Sequence, residues 1–339
     1  MKRFMSVVFL LSISCVWTGE VIADDGKQKQ FVSVDVQNAD IKIQYKYSPK
    51  EDRVIELKRV GLNKLFSFSM LYRIDSEKDT TFPSSILDGL TTVQTFDTDI
   101  IGPIMVSAEN NEDGDDPIAA FTGGWHGFNR DQSGSPTARH VSLQVWVDGK
   151  MVKDTFKGYT NDLVIETTSN IQGFNTKKKD GSGREIIQQK VKMTFNEGRA
   201  DVHIKMTPLE KVRIHTYYGL QTALSQLYAN SSIRYESGDS PEWKDTSSGP
   251  NDSGPKGKYP NVYRMTTKNK HNDEVLVWLD TKYGLGKRLN VSDNYPSAFF
   301  VGYKSYFNLI NGVPLIISKD QSAEIHGGFA WVKGSEDNN

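Results

Sequence analysis

The sequence predicts an all-β protein, an antiparallel β-sandwich of the jelly-roll or large two-sheet type with long loops. Segments in which apolar and polar residues alternate recur along the chain, and clusters of Gly, Asn, Asp and Pro separate them. This is the pattern of half-buried antiparallel strands. The best helical candidate, Thr222 to Ala229, is short for an independent helix. Strands should therefore form the core.

The amino terminus has the features of a secretory signal peptide. Lys2 and Arg3 precede an apolar run from Val7 to Val16, which is followed by Val21-Ile22-Ala23. The run is shorter than the roughly 20 apolar residues that a membrane-spanning helix needs. We expect cleavage after Ala23, a secreted or periplasmic mature protein, and no stable membrane insertion.

Cysteine content and charge limit the chemistry of the mature chain. Cys15 is the only cysteine, so a mature protein of residues 24–339 would contain neither disulfides nor cysteine-ligated metals. The chain carries 41 Lys and Arg against 42 Asp and Glu, a balance that offers no global attraction to nucleic acid. Its length permits one large domain with an extensive core. We expect a single sandwich over 24–339, with an early β block at 24–108 packed on it.

The early block contains four predicted strands, and a polar stretch much later in the chain predicts a loop. The strands are expected at Phe31 to Val36, Ile41 to Tyr47, Val54 to Val60 and Phe66 to Ile74. The polar stretch from Ser237 to Lys258 predicts a long loop or linker.

The acidic stretch from Glu109 to Asp116 predicts a loop that could hold Ca²⁺. Hard cations prefer several carboxylate and carbonyl oxygens, but the spacing differs from that of the twelve-residue calcium loop. A solvated acidic turn is the alternative. No other cofactor is expected and no metal ligands are assigned. Zinc stays open, because the chain has six histidines and three of them would have to converge on one site.

Alternation in three segments predicts polar strand faces that carry chemistry. In the first, His140 and Trp146 lie opposite the valines of Val141 to Val147. In the other two, His203 alternates with Val202 and Ile204, and His215 alternates with Val212 and Ile214. Pairing these two segments as a hairpin would place His203 opposite His215 and Asp201 opposite Tyr217. The same parity directs Tyr218 toward the core. Such a polar face could equally be only the solvent-exposed side of an antiparallel sheet.

Glycine-rich turns present further candidate residues. Trp125 and His126 lie between glycines in Phe121 to Asn129, where a flat apolar ring and a group titrating near neutrality could meet a ligand. Arg139 and Arg184 follow turns and could bind carboxylates. Gln221 adds an amide after the tyrosines. A buried tryptophan in a tight turn and surface salt bridges are the alternative interpretations.

The stretch Phe121 to Gln221 resembles secreted bacterial polysaccharide lyases with β-sandwich or jelly-roll scaffolds, in which a cleft collects His, Tyr, Arg and an amide. The resemblance implies β-elimination on an acidic, uronic-acid-containing glycan. One histidine or tyrosine would take the proton, a phenol would protonate the leaving oxygen, and arginine with glutamine would neutralise the carboxylate. The catalytic candidates are His126, His203, His215, Tyr217 and Tyr218, and the substrate-binding candidates are Trp125, Arg139, His140, Trp146, Arg184 and Gln221.

Two non-catalytic alternatives remain. One is a glycan-binding protein with Trp125, Trp146 and Trp331 as platforms, and the other is an envelope or adhesin-type β-sandwich protein. Release of an unsaturated product from uronic-acid polymers would separate the lyase from both.

Overall fold

The computed structural model describes residues 30–76, 83–84, 87–228, 231–237, 240–246, 261–301 and 303–334. The predicted leader lies outside these ranges. Among the described residues, no helix combines the length and the apolar character that crossing a membrane requires.

Twenty-one strands form the described chain, together with two short 3₁₀ turns at Gln226–Tyr228 and Gly284–Lys287. The first strands are β1 (Gln30–Asp35), β2 (Asp40–Ser48), β3 (Glu51–Val60), β4 (Leu65–Asp75), β5 (Thr91–Thr95), β6 (Ile104–Ala108), β7 (Ala138–Val147), β8 (Lys150–Val152), β9 (Thr155–Thr160) and β10 (Leu163–Gln172). The others are β11 (Glu185–Asn196), β12 (Arg199–Pro208), β13 (Val212–Ala223), β14 (Ser232–Ser237), β15 (Ser240–Thr246), β16 (Val262–Lys268), β17 (Asp273–Leu279), β18 (Asn290–Val291), β19 (Ala298–Val301), β20 (Lys304–Ile317) and β21 (Ala323–Lys333).

These strands form three sheets. A six-stranded sheet has the order β5-β4-β3-β2-β1-β9, and a ten-stranded sheet has the order β15-β14-β16-β17-β21-β12-β11-β10-β7-β8. The smallest sheet runs β18-β20-β13-β6, with β19 paired to β20. All strand pairs are antiparallel except β18 with β20. The predicted all-β antiparallel sandwich is thus confirmed, as are the four early strands.

The core lies between the ten-stranded sheet and the two smaller sheets. Phe68 of β4 contacts Phe195, Phe329 and Trp331 of the large sheet at ring-centroid distances of 6.1, 5.4 and 5.4 Å. From the smallest sheet, Leu220 packs beside Gly327. Since alternate residues of each strand face this interior, the opposite face of the large sheet is directed outward.

The predicted hairpin of β12 and β13 is wrong. The residues Val202, Ile204, Val212 and Ile214 are buried as predicted. However, β12 pairs with β11 and β21, whereas β13 pairs with β6 and β20 in another sheet. Alternation fixes which face of a strand is buried but does not fix its neighbour. Consequently His203 lies opposite His326 and Lys192, and not opposite His215.

A bulge in β13 reverses the predicted orientation of the two tyrosines. The register of β13 shifts between Ile214 and Thr216, so one extra residue is inserted there. Tyr217 is therefore fully buried and Tyr218 is half-buried, which is the opposite of the prediction.

Two further predictions about local structure need correction. The described part of the segment Thr222 to Ala229, residues 222–228, is not an α-helix, because β13 extends to Ala223 and a 3₁₀ turn follows. Within the predicted loop Ser237 to Lys258, residues 240–246 form β15, and residues 247–258 lie outside the described ranges.

Candidate functional site

A row of polar side chains crosses the outer face of the ten-stranded sheet at its centre. In the strand register, His203 of β12 lies opposite Lys192 of β11 on one side and His326 of β21 on the other. The two imidazole centroids are 4.2 Å apart. Each strand supplies these residues because its alternate positions, such as Val202, Ile204 and Ile325, are buried in the core.

Glu324, two residues before His326 on β21, is the most heavily bonded group on this face. Its Oε2 accepts hydrogen bonds from His203 Nε2 at 3.0 Å and from the Tyr283 hydroxyl at 2.5 Å. Its Oε1 lies 3.1 Å from Lys205 Nζ and 3.2 Å from Ser322 Oγ. The hydrogen bond from Tyr283, reinforced by those from Lys205 and His203, lowers the pKa of Glu324 to about 2. The carboxylate is thus ionised at neutral pH.

The loop after β17 brings Tyr283 over His326. Asp280 N donates to His326 O at 2.9 Å, and Gly284 has a φ of +51°, a conformation that favours glycine. A Cβ at Gly284 would lie 2.0 Å from Glu324 O, so glycine also permits the loop to approach β21. As a result, the Tyr283 ring stacks on His326 at 3.8 Å.

His326 differs from its neighbour because it retains an unused nitrogen. Its Nε2 is buried and has no hydrogen-bond partner among the described residues. Burial and the nearby His203 lower the pKa of His326, so the ring is predominantly neutral at pH 7. A neutral imidazole can accept a proton or bind a metal. His203, Glu324 and His326 each place one ligand atom within 4.8 Å of the other two.

Trp278 provides an aromatic surface beside the histidines. It lies opposite Gly328 in the register and is half-buried. The indole covers Gly328 closely, since a Cβ there would lie 2.3 Å from Trp278 Cζ2. Arg199 lies over the indole at 4.5 Å and bonds Asp201.

His203, His326 and Trp278 border a groove of about 400 Å³, which we call the histidine groove. It is lined by Lys192, Thr194, Asp201, Val202, His203, Trp278, Leu279, Asp280, His326 and Gly327. Trp146 lies on the same outer face, because the register connects it through Val164 and Thr194 to Asp201. The face from Trp146 to Trp278 crosses six strands and is thus about 24 Å wide.

Among the sequence-predicted residues, only His203 borders the histidine groove, and Trp146 shares its sheet face. His140 does not lie beside Trp146 as predicted, because the register of β7 shifts by one residue next to it and turns it to the other side. There burial and the charge of Arg59 lower its pKa.

The glycine loop, Phe121 to Asn129, holds Trp125 and His126 against Asp99. Buried Asp99 accepts a hydrogen bond from Trp125 N at 2.7 Å and lies 3.2 Å from His126 Nε2. His126 Nδ1 faces Arg130 O at 3.3 Å. Burial alone would lower the pKa of His126, but the hydrogen bond and charge of Asp99 outweigh it and raise the pKa. Both imidazole nitrogens are engaged by the protein itself.

The β13 candidates do not assemble into one site. The Tyr217 side chain is fully buried, and burial raises its pKa, so it cannot reach a polymer. His215 Nε2 lies 2.8 Å from Ser107 Oγ, and its ring contacts Phe174. Tyr218 instead joins an aromatic cluster with Phe121, Phe299 and Tyr306.

The predicted binding residues Arg139, Arg184 and Gln221 also have other roles. Arg139 forms a bidentate pair with Glu185 at 2.8 Å, and Arg184 bonds Asp113 of the acidic loop. Gln221 and Trp331 are buried, so neither can contact a glycan. The sequence favoured these residues by type, but their partners are distant in sequence.

The acidic loop, Glu109 to Asp116, binds protein cations. Asp113 pairs with Arg184, and Asp116 bonds the buried Lys177 Nζ at 2.9 Å. Asp115 accepts a hydrogen bond from Lys179 N. Arg184 and Lys177 thus neutralise two of the carboxylates that a calcium ion would need.

The candidates predicted from the sequence do not include five residues of this region: His326, Glu324, Tyr283, Trp278 and Lys192. Glu324 and His326 alternate with buried Ile325, which is the signal for two side chains on one polar face. This alternation does not identify the site, because it does not show which strand lies beside β21 in the sheet.

Comparison with known proteins identifies no family. No protein family and no curated protein matches the sequence. Among solved structures, the chain is similar to heparinase III, with 9% identity, a TM-score of 0.36, and coverage of 89% of this chain and 37% of that one. It is also similar to the α-N-acetylgalactosaminidase NagBb from Bifidobacterium bifidum, with 10% identity, a TM-score of 0.32, and coverage of 86% and 36%. The chain thus spans little more than a third of each, and similarity at this level carries no argument about function.

Proposed function

We propose that this protein is exported and binds an acidic polysaccharide in the histidine groove. The observation that carries the proposal is the half-buried Trp278, which contacts Gly328 and borders the groove next to the histidine pair. The part of the indole that borders the open polar groove offers apolar surface to a sugar ring, and the remaining groove residues suit its hydroxyl groups.

Cationic side chains favour an acidic polymer over a neutral one. Exposed Lys192 lies opposite His203 on β11, exposed Lys205 follows His203 by two residues on β12, and Arg199 lies over Trp278. Asp201 and Glu324 already pair with Arg199 and Lys205. Lys192 is therefore the principal cation directed at a bound carboxylate.

The test compares two polymers that differ mainly in charge. We expect polygalacturonate to bind in isothermal titration calorimetry and its fully methyl-esterified form to bind at least about 10-fold more weakly, because esterification removes the carboxylate charges. Alginate and hyaluronan serve as further uronic-acid probes. Equal affinity for the charged and esterified polymers would contradict the proposal.

A second candidate function is cleavage of the same polymer by β-elimination. It is favoured by His326, a neutral imidazole with an unpartnered nitrogen, and by the Tyr283 hydroxyl beside it. After a side-chain rotation that exposes its buried Nε2, His326 would remove the proton next to the carboxylate. The bond to the leaving oxygen would break as the carbon–carbon double bond forms, and Tyr283 would donate its proton to that oxygen. A cation such as Lys192 would stabilise the charge on the carboxylate.

Ultraviolet absorbance of the unsaturated product tests cleavage. If the lyase function is correct, His326→Ala should reduce turnover by about 100- to 10,000-fold, the usual range for a lost general base. The exposed His271 outside the groove provides the control variant His271→Ala. If the polymer binds but no unsaturated product forms, the protein binds the polymer without cleaving it.

A further inference from the structure

Two histidines of the histidine groove and the neighbouring Glu324 form a ligand set that suits a metal ion. His203 and His326 are directly opposite each other on β12 and β21, and Glu324 precedes His326 by two residues on the same face. Two imidazoles and one carboxylate are the ligands of many open zinc sites, in which water or substrate takes a further position. We infer that His203, Glu324 and His326 bind a divalent transition metal such as Zn²⁺.

The distances fit this assignment. His203 Nε2 and Glu324 Oε2 are 3.0 Å apart, and all three ligand atoms lie within 4.8 Å of one another. Two ligands of a tetrahedral zinc at about 2.0–2.1 Å are separated by about 3.4 Å. A small side-chain rotation therefore suffices, and the regular pairing of β12 with β21 holds the backbone positions.

The surrounding residues orient Glu324 for this role. Lys205 and Ser322 occupy its Oε1, which leaves Oε2 directed toward the histidines. Tyr283 bonds Oε2 and stacks on His326. Partners of this kind typically fix the orientation of the ligands in metal sites. His326 Nε2, which is buried and has no hydrogen-bond partner among the described residues, indicates that this face is not satisfied by the protein alone.

The ligand chemistry also identifies the class of ion. Imidazole suits zinc, copper, nickel and iron, whereas calcium and magnesium prefer oxygen ligands. A metal here would face the same groove as Trp278 and add positive charge for a carboxylate. Metal coordination and proton acceptance by His326 exclude each other, so bound metal favours the binding function over elimination at that residue.

Metal alone tests the inference, so it does not depend on whether a glycan binds. The full-length mature protein, with any affinity tag removed, is treated with chelator and titrated with Zn²⁺ by calorimetry, with Co²⁺ as a spectroscopic probe. We expect one equivalent to bind, and His326→Ala and Glu324→Gln each to weaken binding by more than about 100-fold, because a direct ligand matters more than the outer-shell partners whose loss costs 10- to 100-fold. His271→Ala should bind as the wild type does.

Circular dichroism confirms that the variants remain folded, and Glu324→Gln preserves the size of the side chain if His326→Ala does not fold. Absence of stoichiometric Zn²⁺ binding to the wild type would overturn the inference. Equal affinity of the wild type and the Glu324→Gln variant would do so too, because the metal would then bind elsewhere.

Discussion

The glycine loop and the histidine groove both combine histidine, tryptophan, glycine and a carboxylate, yet they differ in what the side chains face. In the loop, Asp99 is buried and bonds the Trp125 backbone, and both nitrogens of His126 face acceptors of the protein. In the groove, His326 keeps an unpartnered nitrogen and Trp278 borders an open space. Residue type alone therefore does not distinguish a structural cluster from a candidate site.

The largest expected effect tests the structural role of the loop. Asp99→Ala removes a buried carboxylate that bonds Trp125 N and His126, so we expect the free energy of unfolding in urea to fall by about 3 kcal/mol. Polysaccharide affinity of the folded variant should remain at the wild-type value. The exposed Asp97 gives the control Asp97→Ala, and a loss of affinity with unchanged stability would reverse our comparison.

The two tryptophans sharpen the contrast directly. Both are half-buried, but Trp278 borders the groove, whereas the Trp125 ring packs on Gly61 with a closest approach of 3.1 Å to a Cβ placed there. Trp278→Ala should lower affinity for an acidic polysaccharide by roughly 10-fold, or about 1.4 kcal/mol. Trp125→Ala should lower stability and leave affinity unchanged. If calorimetry showed that Trp125→Ala lowers affinity and Trp278→Ala does not, the comparison would be wrong.

A smaller effect is expected from the groove cation. Lys192→Ala should reduce affinity by about threefold at low salt, and the difference from the wild type should shrink as salt rises, because exposed charges are screened. Lys150 is exposed on β8 and provides the matched control. Salt-independent loss of affinity would indicate that packing, and not charge, explains the role of Lys192.

The smallest effect concerns the pH dependence of stability in the loop. The pKa of His126 is raised above its ordinary value of about 6.5, so its pairing with Asp99 stabilises the protein fully below that pH. This contribution is lost as pH rises through the raised pKa. The difference in unfolding free energy between the wild type and His126→Gln should therefore decrease from pH 5 to pH 9. A difference that grows with pH would contradict the ionised pair.

The fold was more predictable than the candidate site for a physical reason. Alternation in segments such as Val202 to Met206 records which side of a strand is buried, and this suffices to predict sandwich sheets. A site depends on which strands are neighbours, and His203 meets His326 across 123 positions of the sequence. Bulges near Val141 and His215 also turned His140, Tyr217 and Tyr218 to faces opposite those expected. Such one-residue shifts leave no clear signal in composition.

The position of β21 in the ten-stranded sheet affects the order in which the strands of that sheet can pair. It is the last described strand of the chain, but it lies between β12 and β17 near the centre of the ten-stranded sheet. During synthesis, the two parts of that sheet have no shared neighbour until β21 is available, and such long-range pairings form slowly. The same event closes the sheet and brings His326 to His203. Closure of the ten-stranded sheet and assembly of the groove therefore both require the same strand, β21.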